Sequence, residues 1–291
     1  MQICLMIEGQ EGVTWEQWLD LALAAEAADL DGLFRSDHYR SIVRGEPAGS
    51  LDAWATLAAL AARTERIRLG TMVSPVTFRH ASVLAKNAVT VDHISGGRVE
   101  LGIGAGWYEA EHESYGFPFG TQRARVDELD RQLAEIVRQW TLAEDIMPRP
   151  VQSPRPPIIV GGKAKPRTVA AAIRHADEYN TTFPSVEEAR ERALVVRDAA
   201  RAAGRPPLRF SMMTGCVVGR DAADVRDRLA AWRKVTRSDD EPPICGTVDE
   251  VASRLRDYEA VGVERAMLQH LVHEDVEMVG VLGEVVARLA A

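Results

Sequence analysis

Residues 98–120 read RVELGIGAGWYEAEHESYGFPFG, and the fold turns on what kind of junction this stretch makes. The run Val99-Glu100-Leu101-Gly102-Ile103 is short and apolar, as a buried strand is, and it stops at Gly104-Ala105-Gly106. Trp107, Tyr108, His112 and Tyr115 come next. Glycines there remove side chains where a backbone must turn sharply or let a flat ligand approach, and the aromatic cluster reads as a ligand wall. On its own the run is equally a tight strand-to-helix turn with a satellite hydrophobic cluster, because lone glycine-rich turns are unspecific. Its flanks add weight. Upstream, a helix over 80–94 stops at Ser95-Gly96-Gly97, a glycine C-cap. Downstream, Val126, Leu129, Leu133, Ile136, Val137 and Trp140 recur at helical spacing over 122–140.

The same alternation extends in both directions. Strand signals stand at 2–7, 31–36, 67–73, 99–103, 157–160, 178–182, 208–218 and 265–270. Between them lie helical patterns at 15–29 (with Thr14 as N-cap), 51–63, 80–94, 122–140, 166–175, 185–203, 221–233 and 248–260, and 276–289 closes the chain. Strands separated by helical crossovers make a parallel sheet. Eight such units, with no linker long enough to divide the chain, predict one α/β domain over 1–291, a closed (β/α)8 TIM barrel rather than an open doubly wound sheet. Irregular insertions are expected near 40–50 and 234–246. Active sites of such barrels lie at the C-terminal strand ends, which here carry Glu8, Asp37-His38, Thr71 to Pro75, Gly104 to Trp107, Gly161-Gly162-Lys163, Thr181-Thr182 and Gln269-His270.

Composition narrows the function. The net charge is −8 and no basic stripe is present to neutralise phosphates, so a nucleic-acid partner is not expected. The cysteines are Cys4, Cys216 and Cys245, an odd count without a CxxC pair, which speaks against disulfides and a cysteine zinc site. No HExxH or similar ligand spacing exists, so no metal is expected. There is no basic leader followed by an apolar stretch and no apolar run of about 18 residues, which predicts a cytoplasmic protein without a membrane partner.

Four segments together, FRSDHY (34–39), RIRLGTMVSPVTFRH (66–80), LAKNAVTVDHISGGRVELGIGAGWYEAEHESYGFPF (84–119) and PIIVGGKAKPRTVAAAIRHADEYN (157–180), resemble the bacterial luciferase-like superfamily of flavin and deazaflavin enzymes. The form of GIGAGW and EHESYG is most similar to its branch of coenzyme F420-dependent oxidoreductases. The resemblance implies a luciferase-like barrel with the cofactor lying across the strand ends. It implies that Thr71, Met72 and Val73 form a bulge backing one face of the tricyclic ring, with a cis peptide there or at Ser74-Pro75. Gly104, Gly106 and Tyr115 then belong to the cofactor site, and Gly161, Gly162 and Lys163 to a phosphate loop, where free backbone N–H groups and a helix N-terminus favour an anion on physical grounds alone.

His38, held by Asp37, corresponds to an active-site histidine that takes a hydroxyl proton as hydride leaves the adjacent carbon, or donates one in the reverse direction. Trp107 stands where the sugar-phosphate dehydrogenases of the branch carry a glutamate. That substitution argues against sugar-phosphate oxidation by the same pair and in favour of an apolar or aromatic substrate pocket. Glu111, His112 and Tyr115 fall in the loop after it. The leading expectation is hydride transfer between deazaflavin C5 and a small organic substrate. Two alternatives stay open: an FMN-dependent two-component monooxygenase and a non-catalytic flavin-binding barrel. The implied partners are a separate F420- or flavin-reducing enzyme and a second copy of the chain in a homodimer.

Overall fold

The computed structural model describes residues 1–45 and 48–290. Ten strands run in chain order: β1 (Gln2–Ile7), β2 (Gly32–Arg35), β3 (Arg68–Thr71), β4 (Ser74–Pro75), β5 (Val99–Gly104), β6 (Ile158–Gly161), β7 (Glu178–Thr182), β8 (Arg209–Gly219), β9 (Ile244–Thr247) and β10 (Arg265–His270). Eight are staves of a closed parallel barrel, in the order β1-β2-β3-β5-β6-β7-β8-β10, and β10 pairs with both β8 and β1 to complete the ring. The expected closure is therefore observed. β4 continues beside β5, and β9 lies on the outer half of the long β8.

The helices are α1 (Trp15–Ala27), α2 (Ala53–Ala61), α3 (Ala81–Ser95), α4 (Glu109–Tyr115), α5 (Gln122–Thr141), α6 (Pro166–His175), α7 (Val186–Ala202), α8 (Ala222–Thr236), α9 (Val248–Ala260) and α10 (Val276–Ala290). Several begin at reciprocal side-chain caps: Thr14 with Gln17, Ser185 with Glu188, and Thr247 with Glu250. α3 stops at Gly96, whose φ of 66° is open to a residue without Cβ.

Two expectations need correction. The segment 234–246 is irregular only over 237–243: α8 continues to Thr236, and Ile244–Thr247 forms a strand because the buried Ile244 pairs with Cys216. The residues after Trp107 are not a loop but α4, ended by Gly116 at a φ of 71°. In the 40–50 insertion, Arg40 and Gly49 form an antiparallel bridge, and residues 46 and 47 lie outside the described residues.

Alternation along the staves builds the interior in layers. Outward-facing residues such as Ile3, Leu5, Leu101, Val160, Tyr179 and Leu268 pack under the helices. At the inner level Cys4, Met6, Phe34, Met72, Ile159, Met213 and Met267 fill the barrel. Unbranched methionines suit this narrow space because they adapt to irregular gaps.

Below that level, at the N-terminal strand ends, Arg265 is 1% exposed and bonds Glu100 Oε2 at 2.6 Å and Glu178 Oε2 at 2.5 Å, with Arg68 closing onto Glu100. Burial works against the Glu100 carboxylate, but Arg265 and Arg68 outweigh it and hold its pKa low; at Glu178 burial prevails and the pKa is raised. This ion cluster plugs the bottom of the barrel and leaves the opposite, C-terminal end as the open mouth.

Candidate functional site

The floor of the mouth is shaped by β3 and the bulge at its C-terminal end. The peptide between Met72 and Val73 is cis, whereas the Ser74-Pro75 bond is not among the cis bonds of the described residues. Thr71 is fully buried and its hydroxyl donates to the Gly102 carbonyl at 2.7 Å, so it fastens the bulge to β5. Met72 faces the methionine layer, and Val73 stands half-buried above it.

The glycines around this bulge make room for it. A Cβ at Gly102 would lie 1.9 Å from the Thr71 carbonyl oxygen, one at Gly104 2.7 Å from Val73 Cγ2, and one at Gly161 3.2 Å from Val73 Cγ1. These glycines leave room for the bulge, and their Cβ directions point at protein. Gly106, with a φ of 79°, is required by backbone conformation and turns the chain from β5 toward Trp107.

β6 ends at Gly161 and leads through Gly162 and Lys163 to α6. The Gly162 amide donates to the Asn180 carbonyl at 2.9 Å, the Ala164 amide donates to the Tyr179 hydroxyl at 2.9 Å, and a Cβ at Gly162 would meet that hydroxyl at 2.6 Å. Gly162 therefore accommodates Tyr179. What remains for an anion is the α6 N-terminus: Lys165 caps it without a side-chain bond, Pro166 has no N–H, and the amides of Arg167 and Thr168 meet no acceptor among the described residues. Lys163 stands exposed beside it.

On the β2 side, Asp37 and His38 take different partners. Asp37 is 1% exposed; its Oδ2 accepts from Ser74 at 2.6 Å and from Arg79 at 2.5 Å, and Arg79 also reaches Asp52 at 2.8 Å. These carboxylates hold the Arg79 guanidinium charged against burial, raising its pKa. The expectation that Asp37 holds the histidine is thus corrected: Asp37 ties β2 to the β4 region.

The partner of His38 is Glu111 on α4, with Nδ1 to Oε2 at 2.8 Å. The Glu111 side chain is fully buried, and its other oxygen accepts the amides of Tyr39 at 2.5 Å and Arg40 at 3.0 Å. Burial works against the imidazolium, but the Glu111 bond and charge prevail and raise the His38 pKa; the same contact holds the Glu111 pKa low against its own burial. The rings of Trp107 and Tyr108 stand edge-on to the imidazole at 5.7 and 6.2 Å. Nε2 makes no hydrogen bond among the described residues and is not one of the buried unpartnered atoms, so it faces solvent at the mouth.

Two further residues named from the sequence lie on α4. His112 is 1% exposed, its Nδ1 donating to the Tyr108 carbonyl at 2.7 Å and its Nε2 accepting from Thr77 at 2.6 Å. Tyr115 belongs to a stack with Tyr39, Phe78 and Phe117 on the shoulder of the mouth. Trp107, 62% exposed, is free on one side to meet a ligand.

Sequence reasoning passes over Asn180 and gives Glu111 only a place in the loop after Trp107. Asn180 points inward from β7, donating to Ser211 at 2.8 Å, with its Oδ1 buried and unpartnered. Nothing in the run EAEHESY distinguishes Glu111 from Glu109 and Glu113 except its place on the inner face of a helix that the sequence does not announce.

The profile of the luciferase-like monooxygenases matches residues 2–291. The chain belongs to that family. As a luciferase-like protein it is 33% identical to an uncharacterized protein of Mycobacterium tuberculosis over 200 residues, 64% of this chain and 67% of the other. A second Mycobacterium tuberculosis protein, which carries the name putative coenzyme F420-dependent oxidoreductase, is 35% identical over 120 residues, 41% of this chain and 30% of that one.

Among solved structures, the monooxygenase RslO1 from Streptomyces bottropensis superposes with a TM-score of 0.81 at 23% identity, covering 100% of both chains. An F420-dependent secondary alcohol dehydrogenase superposes with a TM-score of 0.81 at 17% identity, covering 99% of this chain and 98% of the other. At these identities the superpositions speak to the fold. Among the described residues no helix of this luciferase-like chain is long and apolar enough to cross a membrane, and no group of three or more His, Cys, Asp or Glu is placed to hold a metal ion.

Proposed function

We propose that this luciferase-like chain is a coenzyme F420-dependent oxidoreductase that moves a hydride between the deazaflavin and a small organic substrate, with His38 as the proton acceptor or donor. The observation that carries the reading is the His38 Nε2 atom, open at the barrel mouth while Nδ1 is engaged by a buried carboxylate. The residues present fit a flat cofactor with an anionic tail. Val73 and the methionine layer offer an apolar floor, the unpartnered Asn180 Oδ1 is a buried acceptor inside the barrel, and the free amides of α6 with Lys163 suit a phosphate. The partial match to a relative named for F420 points the same way.

Bound there, the deazaflavin supplies a two-electron hydride acceptor or donor. The chain's own residues do the rest. As the carbinol carbon of an alcohol gives up hydride, its O–H proton passes to His38 Nε2 and the C=O bond forms; in the reductive direction protonated His38 returns the proton. Trp107 shapes the substrate side of the pocket, and the bulge keeps the reacting faces aligned. The substitution His38→Ala tests this with a panel of secondary alcohols, read by the loss of oxidised-deazaflavin absorbance. Turnover falls by about 10²-fold or more while F420 affinity stays within a few fold. Affinity falling as steeply as turnover makes His38 a cofactor-positioning group and rejects the proton role.

A further inference from the structure

We propose that Glu111 is the positioning residue of this site, fixing the His38 imidazole in the tautomer that carries its proton on Nδ1 and leaves Nε2 as the open acceptor. The inference deepens the proposed function and rests on its reading of His38 as the proton-transfer group. Its grounds are geometric. An ionised carboxylate can only accept, so the 2.8 Å contact between His38 Nδ1 and Glu111 Oε2 requires the proton on Nδ1.

Glu111 cannot turn away from that duty. Its side chain is fully buried, it sits on a helix rather than a loop, and Oε1 is committed to the amides of Tyr39 and Arg40. The carboxylate therefore joins the histidine to the backbone of the two residues after it, and the imidazole, the loop and α4 move as one unit. The edge-on rings of Trp107 and Tyr108 limit rotation of the imidazole about its axis. The acidic neighbour in sequence, Asp37, directs Oδ2 to Ser74 and Arg79 and makes no hydrogen bond to His38. The charged groups acting on His38 are Glu111 from α4, Glu8 from the end of β1 and Asp37 from the end of β2.

The amide of Glu111→Gln separates tautomer control from loop support. Oε1 can keep both backbone amides, so the new NH2 faces His38 Nδ1 and donates to it, and the ring proton must move to Nε2. The experiment is nitrogen-15 NMR of histidine-labelled full-length protein across pH 5 to 9, without cofactor or substrate, with His38→Ala identifying the His38 signals among those of the seven histidines.

In the wild type the neutral ring reports Nδ1–H. In Glu111→Gln it reports Nε2–H, and the titration midpoint falls by about one unit or more because the adjacent anion is gone. Glu111→Asp, which keeps the charge, returns the midpoint toward the wild-type value. A wild-type ring protonated on Nε2, or a midpoint unmoved in Glu111→Gln, overturns the proposal. Should Glu111→Gln fail to fold, the wild-type tautomer alone decides. Because none of these readouts needs turnover, a dispensable His38 in the alcohol assay would reject the proton-transfer reading and leave the assignment of Glu111 standing.

Discussion

If the glycines at the barrel mouth exist to admit Val73, then giving Gly104 a side chain should be harmful only while Val73 is there. A Cβ at Gly104 would stand 2.7 Å from Val73 Cγ2 and 3.8 Å from Val73 Cβ, and it meets no other heavy atom within 4 Å. Gly104 has no positive φ, so Gly104→Ala meets no backbone penalty and the harm is packing alone. Real carbon contacts lie near 3.5–4.0 Å, so the pair must separate by about 1 Å, and the bulge fastened by Thr71 resists. Overpacking of this kind costs about 1–3 kcal/mol.

Val73→Ala removes two methyls from a half-buried side chain, a loss of about 1 kcal/mol at about 0.8 kcal/mol per fully buried carbon. In the double variant the new methyl of residue 104 occupies the space Val73 vacates, so the two losses should fall short of their sum by at least about 1 kcal/mol. Denaturant unfolding of the four proteins, with the slope held common, measures this directly. Additivity within about 0.3–0.5 kcal/mol would mean that Gly104 does not serve Val73, and the role given to the floor glycines would fail.

Two further outcomes rest on buried charge. His270 and His273 are pushed down to about 4 and about 3 by burial. An unfolded histidine takes up its proton near pH 6.5 while these stay neutral in the fold, so their contribution is complete above that pH and is lost as pH falls toward their folded values. At pH 5 the penalty is about 2 kcal/mol for each, and His273→Leu, which also removes a buried unpartnered Nε2, should flatten the acid side of a Tm-against-pH curve; an unchanged slope rejects the assignment. At the closed end of the barrel, Arg265→Met leaves Glu100 with Arg68 alone and Glu178 with only the longer Arg209 contact, and should lower stability by about 3–5 kcal/mol, more than Arg209→Met, whose contact to Glu178 is 3.7 Å and half-exposed; equal losses in chemical denaturation would show that the cluster is not held by Arg265.

Much of the architecture is legible in the sequence because the signals are local and repeated. Staves such as β1 and β6 are apolar runs closed by glycine or a polar residue, and caps such as Thr14 and Ser95-Gly96 carry their own chemistry. Closure is reached by counting eight units. Legibility fails where a short element depends on a distant partner. Ile244–Thr247 becomes a strand only because β8 is long enough to receive it, and α4 is too short and too acidic to show an apolar face.

At the site, the histidine can be named from its place at a strand end, but its partner cannot. Asp37 is adjacent in sequence, and Glu111 is adjacent in space only once α4 folds over β2. The same limit applies to the glycines. Sequence shows that a side chain is missing but not what occupies the space, and here that occupant is Thr71 and Val73 at Gly102, Val73 at Gly104 and Gly161, and Tyr179 at Gly162.

The most direct test of the proposed chemistry is titration of the purified protein with oxidised F420 and, separately, with FMN, followed by fluorescence change and by retention of the cofactor on gel filtration. F420 should bind at micromolar affinity or tighter, with FMN much weaker. Preference for FMN would contradict the proposed hydride chemistry and place the protein with the reductase-supplied monooxygenases.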